Sequence, residues 1–171
     1  PGTRNPSAPF TTSTLQQEAN ARLGFSAKST MAAAQKLYQS GKITYMRTDS
    51  VNLSGFAIKS SEDFIKNTFG EKYHKARNFA TKSAGAQEAH EAIRPTVMSN
   101  EKVSTSQDLQ KIYTLIRNRT LASQMAPAQI EKTNVKIDIV NSENFFEAKG
   151  EVVVFDGFLK VYSSSKKDEF L

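Results

Sequence analysis

The sequence predicts a multi-domain, mainly α-helical chain: a compact, winged-helix-like helical domain followed by a small antiparallel β segment that belongs to an incomplete sheet. Two observations carry this expectation. Before Pro127 the apolar residues recur every three or four positions in successive windows, bounded by hydroxyl caps or glycine stops. Beyond Pro127 the period falls to two, the spacing of a strand that buries one face. With 171 residues and 38% hydrophobic content, the chain can bury one substantial core or two small ones.

The elements follow in order. The first nine residues hold three prolines and one glycine without periodicity, so 1–9 reads as a linker or a cut edge, with something preceding it. "TLQQ" offers Thr14 as a helix cap with Gln17 three residues on, Leu15, Ala19 and Leu23 follow at helical spacing, and Gly24 ends the run. Ser26 starts a second helix with Met31, Ala34, Leu37 and Tyr38 on one face, and Gly41 is its stop. Ser54 caps a third, with Ile58, Ile65 and Phe69 aligned and Gly70 closing it. Glu71 to Gly85 is polar and irregular, and "AQEAHEAIRPT" reads as a short helix or turn stopped by Pro95. A fourth helix is expected from about Ser106 to Met125, through Leu109, Ile112, Tyr113, Ile116 and Thr120.

Past Pro127, Val135, Ile137 and Ile139 alternate with Lys136 and Asp138 as in a half-buried strand. Phe146, Ala148, Val152 and Val154 continue the pattern, "FDGF" signals a turn, and Leu159 with Val161 would begin a further strand. Three strands without a covering helix imply a sheet completed elsewhere in a longer chain. The expected organisation is therefore a helical domain at 10–127, a β-rich part at 128–163 and a polar tail at 164–171.

Composition narrows the classes of function. No cysteine is present, so disulfide scaffolds and thiolate metal sites are excluded, and two histidines leave little for zinc. No run approaches the roughly 20 apolar residues of a membrane helix, and "PGTRNPSAPF" lacks the apolar segment of a signal peptide. The expectation is a soluble, cytoplasmic protein. A net charge of +6 favours an anionic partner such as nucleic acid.

The chemistry concentrates in "GKITYMRTDS", residues 41–50. Tyr45 follows directly on a helix stop, where loops carry functional side chains. In an extended segment Tyr45 and Arg47 project to one side while Met46 turns toward the protein. That pairing suits a nucleophile and a phosphate clamp. A free phenol is ionised only about one part in a thousand at neutral pH, so attack on phosphorus needs a neighbouring cation or base. Arg47 supplies charge, and its planar fork can grip two phosphate oxygens. In "QEAHEAIRPT", His90 and Arg94 stand four apart and would share a helix face, either as an exposed polar pair on a short amphipathic helix or in position for phosphate contact. One histidine in this run is too few for a zinc helix.

Together, "PFTTSTLQQEA", "GFSAKSTMAAAQKLY", "GKITYMRTDS" and "AHEAIRPT" resemble the type IA DNA topoisomerases, in the family's order and at its spacing over most of residues 9 to 162. "TYMRTDS" and "AHEAIRP" are more similar to the bacterial topoisomerase I branch than to topoisomerase III. The resemblance implies that Tyr45 breaks one DNA strand, becoming joined to its 5′ phosphate. Strand passage and resealing then relax negative supercoils without ATP. It further implies that Arg47 positions the scissile phosphate, that His90 contacts the strand, and that Gln35, Thr44, Thr48, Asp49 and Arg94 bind DNA or support the site. Partners would be DNA, single-stranded at the break, with no nucleotide and no membrane.

Two departures stand out. Gln39 occupies a position where many relatives carry glutamate, which removes an acidic group near the tyrosine. The family's Mg²⁺ is held by an acidic Asp-x-Asp cluster in a separate domain, and no two aspartates here stand two residues apart. The chain is thus expected to be a fragment, comprising the tyrosine domain at 10–127 and part of the strand-rich arch at 128–163. It would bind no metal itself and be inactive alone. Two further readings need no resemblance: a non-catalytic, winged-helix-like DNA-binding module, and a protein-interaction domain using its exposed sheet edge.

Overall fold

The computed structural model describes residues 1–79, 90–140 and 143–163. The polar tail from Ser164 and the first part of "AQEAHEAIRPT" lie outside them. Five α-helices and a three-stranded antiparallel sheet make up the described chain, with one short 3-10 turn at Glu71–Tyr73. Among the described residues no helix is long and apolar enough to cross a membrane.

Helix α1 spans Thr12–Leu23, one turn earlier than the sequence suggests, because Thr11 is the cap. Thr14 is the third helical residue: its amide donates to the Thr11 hydroxyl at 3.3 Å, and its hydroxyl accepts from the Thr11 N–H at 2.9 Å. Helix α2, Ala27–Gln39, starts on Ser26 as expected, and α3, Gly55–Phe69, starts on Ser54. Gly41 follows α2 with φ +71°, a left-handed turn that an L side chain resists, and sends the chain straight into the Tyr45 segment.

Helix α4, Gln107–Ser123, is the centre of the fold. Helices of 12 to 17 residues are marginal in isolation, so tertiary burial holds them. On α4, Ile112, Tyr113 and Ile116 join Leu15, Ala34, Leu37, Ile43, Met46 and Ile93 in one core. Further along, Leu121 joins Ile65, Met98, Met125 and Val161 in a second. Arg117 stands between the two, donating to the Met98 carbonyl at 2.9 Å with its guanidinium 4.8 Å from the Phe64 ring. One helix thereby ties both cores together.

The sheet differs from expectation in three ways. Its strands are β1 (Gly2–Arg4), β2 (Ala128–Asp138) and β3 (Phe145–Phe155), in that order. The supposed linker therefore supplies a strand, Gly2 pairing with Ile130 and Arg4 with Ala128. Arg4 also pairs with Glu151 at 2.6 Å. The segment expected to continue as a strand is instead α5, Leu159–Ser163, because Phe158 N–H turns back to the Ala126 carbonyl and Val161 buries into the second core. Finally, Val135 and Ile137 are 47% and 53% exposed rather than half-buried, since no described layer covers the β2–β3 hairpin beyond Ile130.

"EAIRP" is extended, not helical, among its described residues. Ile93 bridges Phe10 on one side and Pro95 bridges Ile43 on the other. Thr44 N–H donates to the Arg94 carbonyl at 2.9 Å, and Ile93 N–H to that of Phe10 at 2.9 Å. Good helix formers have yielded here to ladder bonds, helped by Pro95, which disfavours helical geometry in the residue before it.

Candidate active site

The Ile43–Pro95 bridge seats the segment Ile43–Ser50 against residues 92–96, and bonds from Thr12 to Met46 and Thr48 seat it against the start of α1. Along it, burial alternates: Ile43 and Met46 are 1% and 2% exposed, whereas Tyr45 is 41% exposed and Arg47 is also in solvent. Met46 anchors the segment in the core, and its two neighbours face outward together.

They face an open cleft of about 750 Å³ lined by Thr11, Thr12, Ser13, Tyr45, Arg47, Thr48, Asp49 and His90. The Tyr45 ring meets the ring of Tyr38, on the last turn of α2, edge to face at 5.2 Å. The His90 ring also lies near it, with ring centroids 6.4 Å apart. The phenol therefore has two rings as neighbours, and Arg47 lines the same cleft.

Of the residues singled out from sequence, Tyr45, Arg47, Thr48, Asp49 and His90 meet in this cleft. Gln35 is half-buried on α2 and Gln39 is exposed at its end, both outside the lining. Thr44 faces the neighbouring strand: its hydroxyl donates to the Ala92 carbonyl at 2.7 Å and accepts from Arg94 N–H at 2.9 Å.

Arg94 also departs from its expected place. It shares no helix face with His90, and its guanidinium is spent on protein: Nε and Nη2 donate to Glu91 Oε2 at 3.1 and 2.6 Å, and Nη1 to the Pro95 carbonyl at 3.0 Å. The other Glu91 oxygen accepts from Ser54 N–H at 2.6 Å, tying the start of α3 to the same strand. Burial alone would raise the Glu91 carboxyl; the Arg94 guanidinium and the Ser54 donors outweigh it and hold it below its ordinary value.

Sequence reasoning missed Thr11, Thr12 and Ser13 as part of the cleft. The signal was the hydroxyl-rich "TTST" at a helix start, but its distance in sequence from Tyr45 hid the contact. As for metal, Asp49 is the one carboxylate in the lining, and among the described residues no three His, Asp or Glu side chains cluster as a divalent cation requires. These residues do not fit a Mg²⁺ site.

A helical frame that brings a tyrosine, an arginine and a histidine into one open cleft has the makeup of a phosphate-handling protein. The chain belongs to the type IA DNA topoisomerase family: the family model described as DNA topoisomerase matches residues 1–170. It is 48% identical over 170 residues to DNA topoisomerase 1 of Zymomonas mobilis, covering 98% of this chain and 14% of that protein. It is 46% identical to the prokaryotic-type DNA topoisomerase 1 of Acanthamoeba polyphaga mimivirus, covering 97% of this chain and 21% of that one. The solved full-length topoisomerase I of Thermotoga maritima superposes with a TM-score of 0.79 at 37% identity, over 99% of this chain and 29% of its own. The chain thus spans well under a third of each of these three relatives.

Proposed function

We propose that this chain is the tyrosine-bearing part of a DNA topoisomerase that breaks and rejoins one strand, with Tyr45 as the nucleophile. The phenolic oxygen attacks a backbone phosphorus, the bond to the 3′ oxygen breaks, and the 5′ phosphate remains on the tyrosine. The proton lost by the phenol is balanced by the one the departing 3′ oxygen gains. Resealing is the reverse exchange, one phosphoester for another, so ATP has no part in it and negative supercoils relax between the two steps.

The observation that carries this reading is the shared wall: Tyr45 and Arg47 emerge side by side into the same cleft, with His90 flanking the phenol. Arg47 grips the phosphate oxygens and offsets charge that builds during attack, and His90 offers a donor to the strand. A single strand suits the reading better than a duplex, because the phosphodiester must reach the Tyr45 hydroxyl within the cleft. Arg94 serves as support through Glu91 rather than as a DNA contact. Mg²⁺ in the whole enzyme would be held by residues outside this chain, so the chain alone is inactive. The same reading divides it into a winged-helix-like tyrosine domain at 10–127 and a β-rich arch portion at 128–163.

The test is adduct formation by the whole enzyme on a labelled single-stranded oligonucleotide with Mg²⁺. The expected outcome is a covalent protein–DNA band from the unaltered enzyme and none from Tyr45→Phe. A band of equal intensity from the variant refutes the assignment.

A further inference from the structure

We propose that Thr12, which no motif of the tyrosine segment includes, is a positioning residue that sets the backbone on which Tyr45 and Arg47 stand. Its hydroxyl donates to the Met46 carbonyl at 2.7 Å and accepts from Thr48 N–H at 2.9 Å, while its own N–H donates to the Thr48 carbonyl at 2.9 Å. The Met46 carbonyl and the Thr48 amide belong to the two peptide planes that flank Arg47. One side chain therefore pins both planes, and with them the direction in which Arg47 leaves the backbone.

Helix α1 does not need this hydroxyl for its own start. Thr11 and Thr14 already close the capping box, so the Thr12 oxygen is free of intrahelical duty and turns to the neighbouring segment. A threonine suits the task, since a β-branched side chain is stiff at χ1 and holds its oxygen in one place. On the far side of Tyr45, the Thr44 hydroxyl does the same to the 92–94 backbone, donating at 2.7 Å and accepting at 2.9 Å. Tyr45 is thus suspended between two threonine clamps, with Met46 buried between them. A misplacement of about 1 Å at a reacting centre can cost about 100-fold in rate, so the loss of one clamp falls on catalysis more than on binding.

This inference rests on the reading of Tyr45 as nucleophile. In the whole enzyme, Thr12→Val keeps the side chain's shape and removes the hydroxyl, whereas Thr12→Ser keeps the hydroxyl. Three quantities are compared: the single-turnover rate of the Tyr45 adduct, oligonucleotide affinity in a Tyr45→Phe background, and the melting temperature. The expected result is cleavage slowed about 10-fold or more in Thr12→Val, with affinity within about twofold, and rates within about threefold of the original in Thr12→Ser. Unchanged cleavage in Thr12→Val, or equal losses in both variants, overturns the proposal. Should Thr12→Val fail to fold, Thr12→Ser decides: a folded serine variant slowed 10-fold overturns the clamp, and one that cleaves normally sustains it. An adduct that survives Tyr45→Phe overturns the functional reading instead, and this one with it.

Discussion

Replacing Arg94 with methionine keeps most of the side chain's length and removes the guanidinium that Glu91 relies on. The Arg94 side chain is 11% exposed and that of Glu91 28%, so the pair lies between the surface and the interior. Exposed ion pairs contribute about 0 to 1 kcal/mol, and breaking a fully buried one costs about 3 to 5 kcal/mol. Two charge-assisted bonds and a half-buried carboxylate left without its cation put this substitution near 2 kcal/mol. For a chain of this size, each kcal/mol moves the melting temperature by about 2 to 4 °C, so a fall of about 4 to 8 °C is expected.

Thermal unfolding followed by far-UV circular dichroism at pH 7 measures it, in a double-mutant cycle with Glu91→Gln. The two losses should be far from additive, since each removes the same interaction. The pH dependence supplies a second check. Glu91 has a folded pKa below the ordinary 4.5, so its contribution is complete above that value and is lost as pH falls below it. The gap between the original chain and Arg94→Met should therefore narrow in acid. A melting temperature within 1 °C of the original, inside the roughly 0.5 kcal/mol scatter of surface substitutions, would show that Arg94 is not the support the geometry makes it.

Two other perturbations probe the frame. At Gly157, φ is +50° and an added Cβ would lie 2.5 Å from the carbonyl oxygens of Ala126 and Pro127, whereas Gly41, at φ +71°, has open space around it. Gly157→Ala should cost about 3 kcal/mol or more and Gly41→Ala about 1 to 2 kcal/mol, and equal urea midpoints would refute the distinction. His74 has a buried Nε2 without a hydrogen-bond partner among the described residues, and burial is the main cause that lowers its pKa from 6.5, with Lys66 and Lys59 adding to it and Glu62 and Glu71 opposing. Its neutral form is favoured in the fold, so stability is retained above pH 6.5 and falls as pH drops below it. Urea unfolding at pH 7.5 and 5.5 should show that fall in the original chain and a smaller one in His74→Gln.

Local chemistry made the helices legible, and distance hid the rest. Ser26 and Ser54 mark the starts of α2 and α3 by capping them with their hydroxyls, and Ser106 stands at the start of α4 without a side-chain capping bond. At α1, "TTST" offers several hydroxyls, and the reciprocal bonds of Thr11 and Thr14 decide which residue caps. Strand β1 is three residues long with its partner near Ile130, so no period within the first nine residues could announce it. Val161 and Tyr162 favour strand by propensity, yet burial of Val161 in the second core makes that turn helical. In the cleft, exposed Tyr45 and Arg47 on either side of buried Met46 follow the alternation read from the sequence, although the chain bends at Thr44 and Met46.

The two arginines of the motifs show where spacing stops being enough. Both lie close to the tyrosine segment and both look suited to phosphate, but Glu91 commits Arg94 to the protein while Arg47 stands in the cleft. Nor does the +6 of the whole chain collect there, since the lining holds one arginine against one aspartate. On the proposed reading, long-range attraction of an anionic strand would therefore come from charge elsewhere on the surface, with Arg47 acting at contact distance. At that distance orientation matters more than net charge. That is why, on the proposed reading of Tyr45 as nucleophile, its reactivity would depend on a backbone pinned by Thr12 and Thr44 rather than on a richly basic pocket.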